Sequence, residues 1–425
     1  MDTFFKKLKM IVTDPGLRKR IFFVLVVLVI FRLLSSIPIP ATAGQDLRVI
    51  LLNDQALGFL NLITGGGLSA ISIMMLGVGP YITSSIIMQL LTMMSPKIKE
   101  MYHEGGDLGR RKFTQYSRFL TVPLAILQGY GLLVYLSSGA QPIIGQLTNF
   151  AMFTNVIIVA AGSIFLMWLG ELLSEFGIGN GVSLIIFAGI VSSIPKQLGQ
   201  LLFSFGQDKI LTYGAVGIVI VLLIMFVIFM TEAERPINIT YAKQNHGGRT
   251  SGGGSTYLPL RLNQAGVIPI IFALSILFFP QVIANALSTM GSGTAQVVAI
   301  AIKNILANPW VNGLLYFGLV FLFTYFYTAV TVDPIAMATN LQKNGAFILG
   351  IRPGVQTSEY LSKIITRITL VGATFLGSIA VLPVVMENLT DISSLAISGT
   401  ALLIVVSVLI DLIKKIDAQI AMREY

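Results

Sequence analysis

Long apolar runs broken by short polar stretches dominate this chain. Runs able to supply the roughly 20 helical residues that cross a bilayer begin near Ile21, Thr114, Ala151, Gly181, Leu211, Leu262, Pro309, Ile364 and Leu395. A tenth apolar stretch, Leu60 to Met94, is interrupted by Gly65-Gly66-Gly67 and again by Gly77, Gly79 and Pro80. It predicts two short helical pieces instead of one span. Lipid cannot satisfy free peptide groups, so irregular backbone at membrane depth must be packed in protein or line a cavity. The pattern therefore predicts an all-α polytopic membrane protein of ten transmembrane helices, with a pathway through it. Ten spans divide into five and five around Gln200 to Lys209, giving halves of residues 1–205 and 206–425. An odd number of spans in each half would make them inverted repeats.

Composition agrees with that class: 55% of residues are hydrophobic and only 11% charged, against roughly 25% charged in soluble domains. Charge then orients the spans, because Lys and Arg collect on the cytoplasmic side. With both termini inside, the inner segments hold 23 of the 28 cations. The outer loops hold Arg48, Lys196, Lys209 and Lys303, and Arg32 falls within the first span. The N-terminal stretch, with Lys6, Lys7, Lys9, Arg18, Lys19 and Arg20, reads as an uncleaved amphipathic segment at the membrane surface or as a topogenic cluster. Two inner loops stand out for length, residues 232–261 and 332–363, and loops longer than about 15 residues are usually functional or disordered. Within the first, NITYAK and STYLPLRL predict the arms of a hairpin. Both loops read as docking surfaces.

The chemistry is sparse. The sequence holds no cysteine and only two histidines, His103 and His246, which leaves no thiolate or multi-histidine metal centre. It has no GxxxxGK[ST] loop and no HExxH, so no direct nucleotide binding and no cofactor are expected. Intramembrane ionisable residues mark ion routes, and here they are few: Arg32, with Glu171, Glu175, Asp333 and Asp411 nearer span ends. Arg32, about two turns from the outer end of its span, reads as structural, snorkelling or bonding neighbouring carbonyls. Several spans place an aliphatic residue beside Gly or Pro, and a ring of such residues closes a pore by dewetting.

The order of the motifs resembles the SecY family, channel subunits of the Sec protein-translocation machinery. The matching stretches are FRLLSSIPIP (Phe31 to Pro40), Gly65 to Leu91, EGGDLGRRKFTQYSR (Glu104 to Arg118), FLMWLGELLSEFGIGNGVSLIIFAGIV (Phe165 to Val191), STYLPLRLNQAGVIPIIFA (Ser255 to Ala273) and NGAFILGIRPGVQTSEYL (Asn344 to Leu361). That resemblance implies an hourglass channel of two pseudo-symmetric inverted halves. It implies a re-entrant plug helix at about residues 62–73: Leu62, Gly65, Gly66, Gly67, Leu68, Ser69, Ala70, Ile71, Ser72 and Ile73. A pore ring is implied at Val78, Ile82, Val182, Ile186, Ile271 and Ile404, and a lateral gate with polar positions Thr83, Gln89 and Asn263. Motor and ribosome docking maps to the long loops, including Arg249, Arg261 and Arg352, although the first loop is less basic than the family pattern.

On this resemblance the chain is expected to conduct unfolded secretory proteins passively across the inner membrane and to release transmembrane segments sideways into lipid. It would act with SecE and SecG subunits, the SecA motor ATPase, the ribosome and signal sequences. Catalysis is not expected. The rival from another class, a secondary transporter of small solutes, predicts ionisable groups at mid-depth that the sequence lacks. An intramembrane enzyme would need paired carboxylates or a Ser/His pair on adjacent helical turns.

Overall fold

The computed structural model describes residues 13–40, 68, 71–103, 105–138, 144–145, 147–203, 210–241, 244–246, 249–251, 254–290, 294–390 and 398–421. Among the described residues, ten helices of 16 residues or more follow the ten expected segments. They are α1 (Pro15–Leu34), α2 (Gly79–Met94), α4 (Gly106–Ser138), α5 (Asn149–Phe176), α6 (Gly181–Phe203), α7 (Ile210–Glu232), α8 (Ile268–Met290), α10 (Pro309–Thr331), α12 (Val355–Thr390) and α13 (Ser398–Ala421). Shorter helices α3 (Pro96–His103), α9 (Thr294–Ala307) and α11 (Pro334–Lys343) fall between them. By length and composition, the stretches Gly106–Ser137, Asn149–Phe176, Pro309–Lys343 and Val355–Met386 can each cross a membrane.

Local chemistry sets several helix ends. Pro15 opens α1 behind Asp14, whose Oδ1 accepts from the Gly16 amide at 2.8 Å. Asn308 and Asp333 do the same for α10 and α11, each before a proline at the first helical position. The seventh span starts later than its apolar run: residues 262–267 are irregular, Gly266 has φ +62°, and helix begins only at Ile268. Arg32 is exposed in the last turn of α1. There a cation opposes the partial negative charge of the helix C-terminus.

Beyond the helices lies a small antiparallel sheet. Strand β1 (Glu234–Tyr241) pairs with β4 (Ser255–Arg261) from Glu234↔Arg261 to Thr240↔Ser255, forming the expected hairpin. Strands β2 (Gln244–His246) and β3 (Arg249–Ser251) pair with each other near its tip. The other edge of β1 takes β5 (Ala346–Phe347), through Thr240↔Phe347 and Tyr241↔Ala346. The two long loops are thus one structure. Ile237 and Leu260 of the sheet, with Ile348, pack on Leu361, Ile364, Ile365 and Ile368 of α12, which is why α12 runs a few turns past the apolar run that predicts it.

The main core gathers side chains from α1, α2, α5, α6, α7, α8, α10, α12 and α13. A small cluster of Leu17, Ile178 and Ile420 joins the start of α1, the α5–α6 turn and the end of α13. An ion pair, Lys414 to Glu232 at 2.8 Å, ties α13 to the end of α7. The start of α1, the end of α13 and the end of α7 therefore share one side of the bundle, as an even number of spans requires.

Candidate functional site

The residues expected to form the pore ring come from four elements and belong to one apolar core. Val78 closes a run of turns over residues 71–78, in which Gly77 has φ +57°, and Ile82 follows one helical turn into α2. Val182 and Ile186 lie on consecutive turns of α6. They are aimed by the Asn180 cap, whose Oδ1 accepts from the Val182 and Ser183 amides. Ile271 comes from α8 and Ile404 from α13. Val78, Ile82, Ile186, Ile271 and Ile404 are all buried in the main core, and Val182, partly buried, packs against it. Spacing of four residues keeps each pair on one helical face.

The approach of α5 to α6 is allowed by glycine. A Cβ on Gly181 would meet the Gly170 carbonyl oxygen, and the Gly181 amide instead donates to Ser174 Oγ at 2.9 Å. Likewise a Cβ on Gly162 would meet the Ile73 carbonyl oxygen, while Ser163 Oγ donates to the Gly77 carbonyl at 2.9 Å. Helix α5 therefore holds the 71–78 segment by backbone contact on one side. Residues 37–39 hold it on the other: Ile39 N donates to Ile71 O, and Ile73 N donates to Ile37 O.

Of the segment expected to form a plug, Leu62, Gly65, Gly66, Gly67, Ser69 and Ala70 lie outside the described residues. Leu68 and residues 71–73 are in turns, apart from the bridge of Ser72 to Pro38. Leu68 and Ile71 are fully buried in a second cluster with Ile39, Leu132, Leu136 and Val159.

The polar residues expected at the gate do not bond to one another. Thr83 is buried, donates to the Gly79 carbonyl at 3.0 Å and accepts from Gln128 Nε2 of α4 at 3.2 Å. Gln89 Oε1 and both amide atoms of Asn263 have no hydrogen-bond partner among the described residues. The Thr83–Gln128 bond ties α2 to α4. Sequence reading missed Gln128, although a lone Gln in the run LAILQGYGLL is a visible signal. A further tie between neighbouring helices is the Arg118–Glu171 ion pair at 2.6 Å, joining α4 to α5.

Of the arginines expected to dock partners, only Arg261 lies in the three-stranded sheet. Arg261 sits opposite Glu234, and Phe347 sits opposite Thr240, six residues along β1, which is about 20 Å at strand rise. Arg352 is exposed five residues beyond Phe347, and its carbonyl accepts from Thr357 Oγ1 at 3.0 Å. Arg249 lies in β3.

The SecY family model matches residues 72–413. The protein translocase subunit SecY of Streptomyces coelicolor is 39% identical over 432 residues, covering 97% of this chain and 96% of that relative. A solved structure described as that of a protein conducting channel superposes with TM-score 0.67 at 20% identity, covering 96% of this chain and 93% of its own. Sec61 in a canine ribosome-channel complex superposes with TM-score 0.63 at 19% identity, covering 96% and 93%. Both likenesses speak for a common fold.

Proposed function

This chain belongs to the SecY family and is a protein translocase subunit, and from that premise we propose how its own residues conduct a polypeptide. The observation that carries the reading is the meeting of Val78, Ile82, Val182, Ile186, Ile271 and Ile404 in one apolar core. A constriction of aliphatic side chains excludes water and ions by dewetting. It also yields to any passing chain, since it makes no directional bonds. Residues 62–73 act as the plug, and the seam between α2 and α8 is the lateral exit into lipid. The halves, residues 1–205 and 206–425, move apart to open both.

The chain works without catalysis, in the inner (cytoplasmic) membrane with both termini inside. Energy comes from partners: the SecA motor or the elongating ribosome docks on the joined inner loops at Arg249, Arg261 and Arg352. SecE clamps the halves and SecG sits at the periphery. Small-solute transport gains no support from any relative reported above.

The test is reconstitution with SecE and SecA, using single cysteines at Ile82, Ile186 or Ile404 in this naturally cysteine-free chain. A stalled secretory precursor is expected to crosslink to all three and to be protected from protease in an ATP-dependent way. Saturable solute uptake without protection, under an active motor, would overturn the reading.

A further inference from the structure

A cavity of about 290 Å³ opens at the end of the bundle that carries the sheet. The α5–α6 turn, the end of α7, residues 261–268 and α13 line it. Its polar lining includes Thr231, Asn263, Gln264 and Ser407, which come from three separate segments. Thr231 Oγ1, Asn263 Oδ1 and Nδ2, Gln264 Oε1 and Ser407 Oγ are all shielded from solvent. None has a hydrogen-bond partner among the described residues. Asn263 as a whole is only 8% exposed. These are most of the buried unpartnered side-chain atoms found among the described residues, and they collect around one cavity. Buried polar groups without partners cost free energy, so such a concentration is selected only where something else satisfies it.

The chemistry of the lining defines that partner. The four groups are neutral amides and hydroxyls, offering donors and acceptors together. The lysines at the rim already face acids: Lys415 lies 2.9 Å from Asp411, and Lys414 pairs with Glu232. Arg261 lines the cavity too, but every unpartnered buried atom there belongs to a neutral group, so a neutral ligand that both donates and accepts matches them. Ser407 is three residues from Ile404 on α13, and Gln264 is seven before Ile271 on the α8 segment. The cavity therefore adjoins the apolar constriction on the side where the sheet lies.

We propose that this cavity is a binding subsite for the main chain of the incoming polypeptide. Small rotations of Thr231, Ser407, Gln264 and Asn263 present their polar atoms to peptide N–H and C=O groups of an extended segment. Because every residue carries one such donor and acceptor, proline aside, the subsite is indifferent to sequence. It retains a segment just before the constriction, where side chains that differ from substrate to substrate would give no common grip. The inference rests on the conduction reading given above and deepens it.

The test uses the full chain reconstituted with SecE and SecA. Asn263 is left intact because it also belongs to the gate. The triple variant Thr231→Val, Gln264→Met, Ser407→Ala removes the polar atoms at nearly constant volume. Translocation is expected to slow roughly five- to tenfold, to a similar extent for two precursors with unrelated mature sequences. An unchanged rate would overturn the subsite, as would a loss confined to one precursor. Should the triple variant assemble poorly with SecE, Ser407→Ala alone decides, with an expected slowing of about twofold or more. In parallel, Ser407→Cys is expected to crosslink to a stalled precursor. Crosslinks at Ile404→Cys but none at Ser407→Cys would sink the subsite and leave the channel standing. No crosslink at either position would sink the conduction reading itself.

Discussion

Gly162 and Arg352 are held by opposite kinds of constraint. Gly162 is fixed from within: any Cβ there meets the Ile73 carbonyl oxygen, with Met74 Sδ close behind. Gly162→Ala should therefore force α5 away from the 71–78 segment, at a cost of about 1–3 kcal/mol. This should appear as a lower Tm of the purified complex, and an unchanged Tm would mean that the segment gives way freely. Arg352 is fixed from outside. Its side chain is exposed, while its carbonyl is fastened by Thr357, so its guanidinium is presented without supporting the fold. Arg352→Glu should slow SecA-driven translocation roughly tenfold, because like charges set against a partner cost several kcal/mol at a docked surface. Membrane insertion of the channel should be unaffected. Translocation at the wild-type rate would remove Arg352 from the docking site. Both residues are visible in the sequence, but only Arg352 announces a role there. The constraint on Gly162 depends on a carbonyl 89 positions away.

At the scale of elements, helix existence was readable and helix ends were less so. Apolar length marks where a span can lie, but α4 and α12 begin well before their apolar runs. Their added turns are packed against protein: Gly109 of α4 lies against the Met101 carbonyl of α3, and the first turns of α12 lie under the sheet. The hairpin was legible from its two alternating arms. Its third strand was not, since Ala346 and Phe347 are too few to carry a pattern, and their pairing lies more than a hundred residues away. That pairing makes a direct prediction. Cysteines replacing Thr240 and Phe347 face each other across the ladder, within the Cα separation that a disulfide needs. Oxidation should link them in most molecules, read as a mobility shift that a reductant reverses. Failure to link would contradict the β1–β5 register. The segment before α2 gives a second prediction. Leu68 and Ile71 are completely buried, so deleting residues 66–72 removes packed surface as well as the expected plug. Resting ion conductance of reconstituted channels should rise, and an unchanged conductance would argue that this stretch seals nothing.

For the whole molecule, the asymmetry of charge matters more than any single arginine. Most of the cations belong to segments read as inner, and a positive surface binds phosphate-rich partners through counterion release. Ribosome binding to the reconstituted complex should therefore weaken roughly tenfold or more between 50 and 200 mM salt, measured by co-sedimentation. Salt-indifferent binding would move the attraction to apolar contacts such as those offered by the exposed Leu349 and Val355.

The sequence by itself determined that this chain spans a membrane, roughly where its long helices lie and which family it resembles. Those properties follow from apolar length, charge placement and local motifs, each carried by neighbouring residues. Only the tertiary structure decided that Thr83 bonds to Gln128, that two distant loops share one sheet, and that Thr231, Asn263, Gln264 and Ser407 surround one cavity. Each of these depends on which helices meet and at what height. That is set by close packing at glycines and by the irregular backbone of residues 71–78 and 262–267, where the periodicity of the sequence stops.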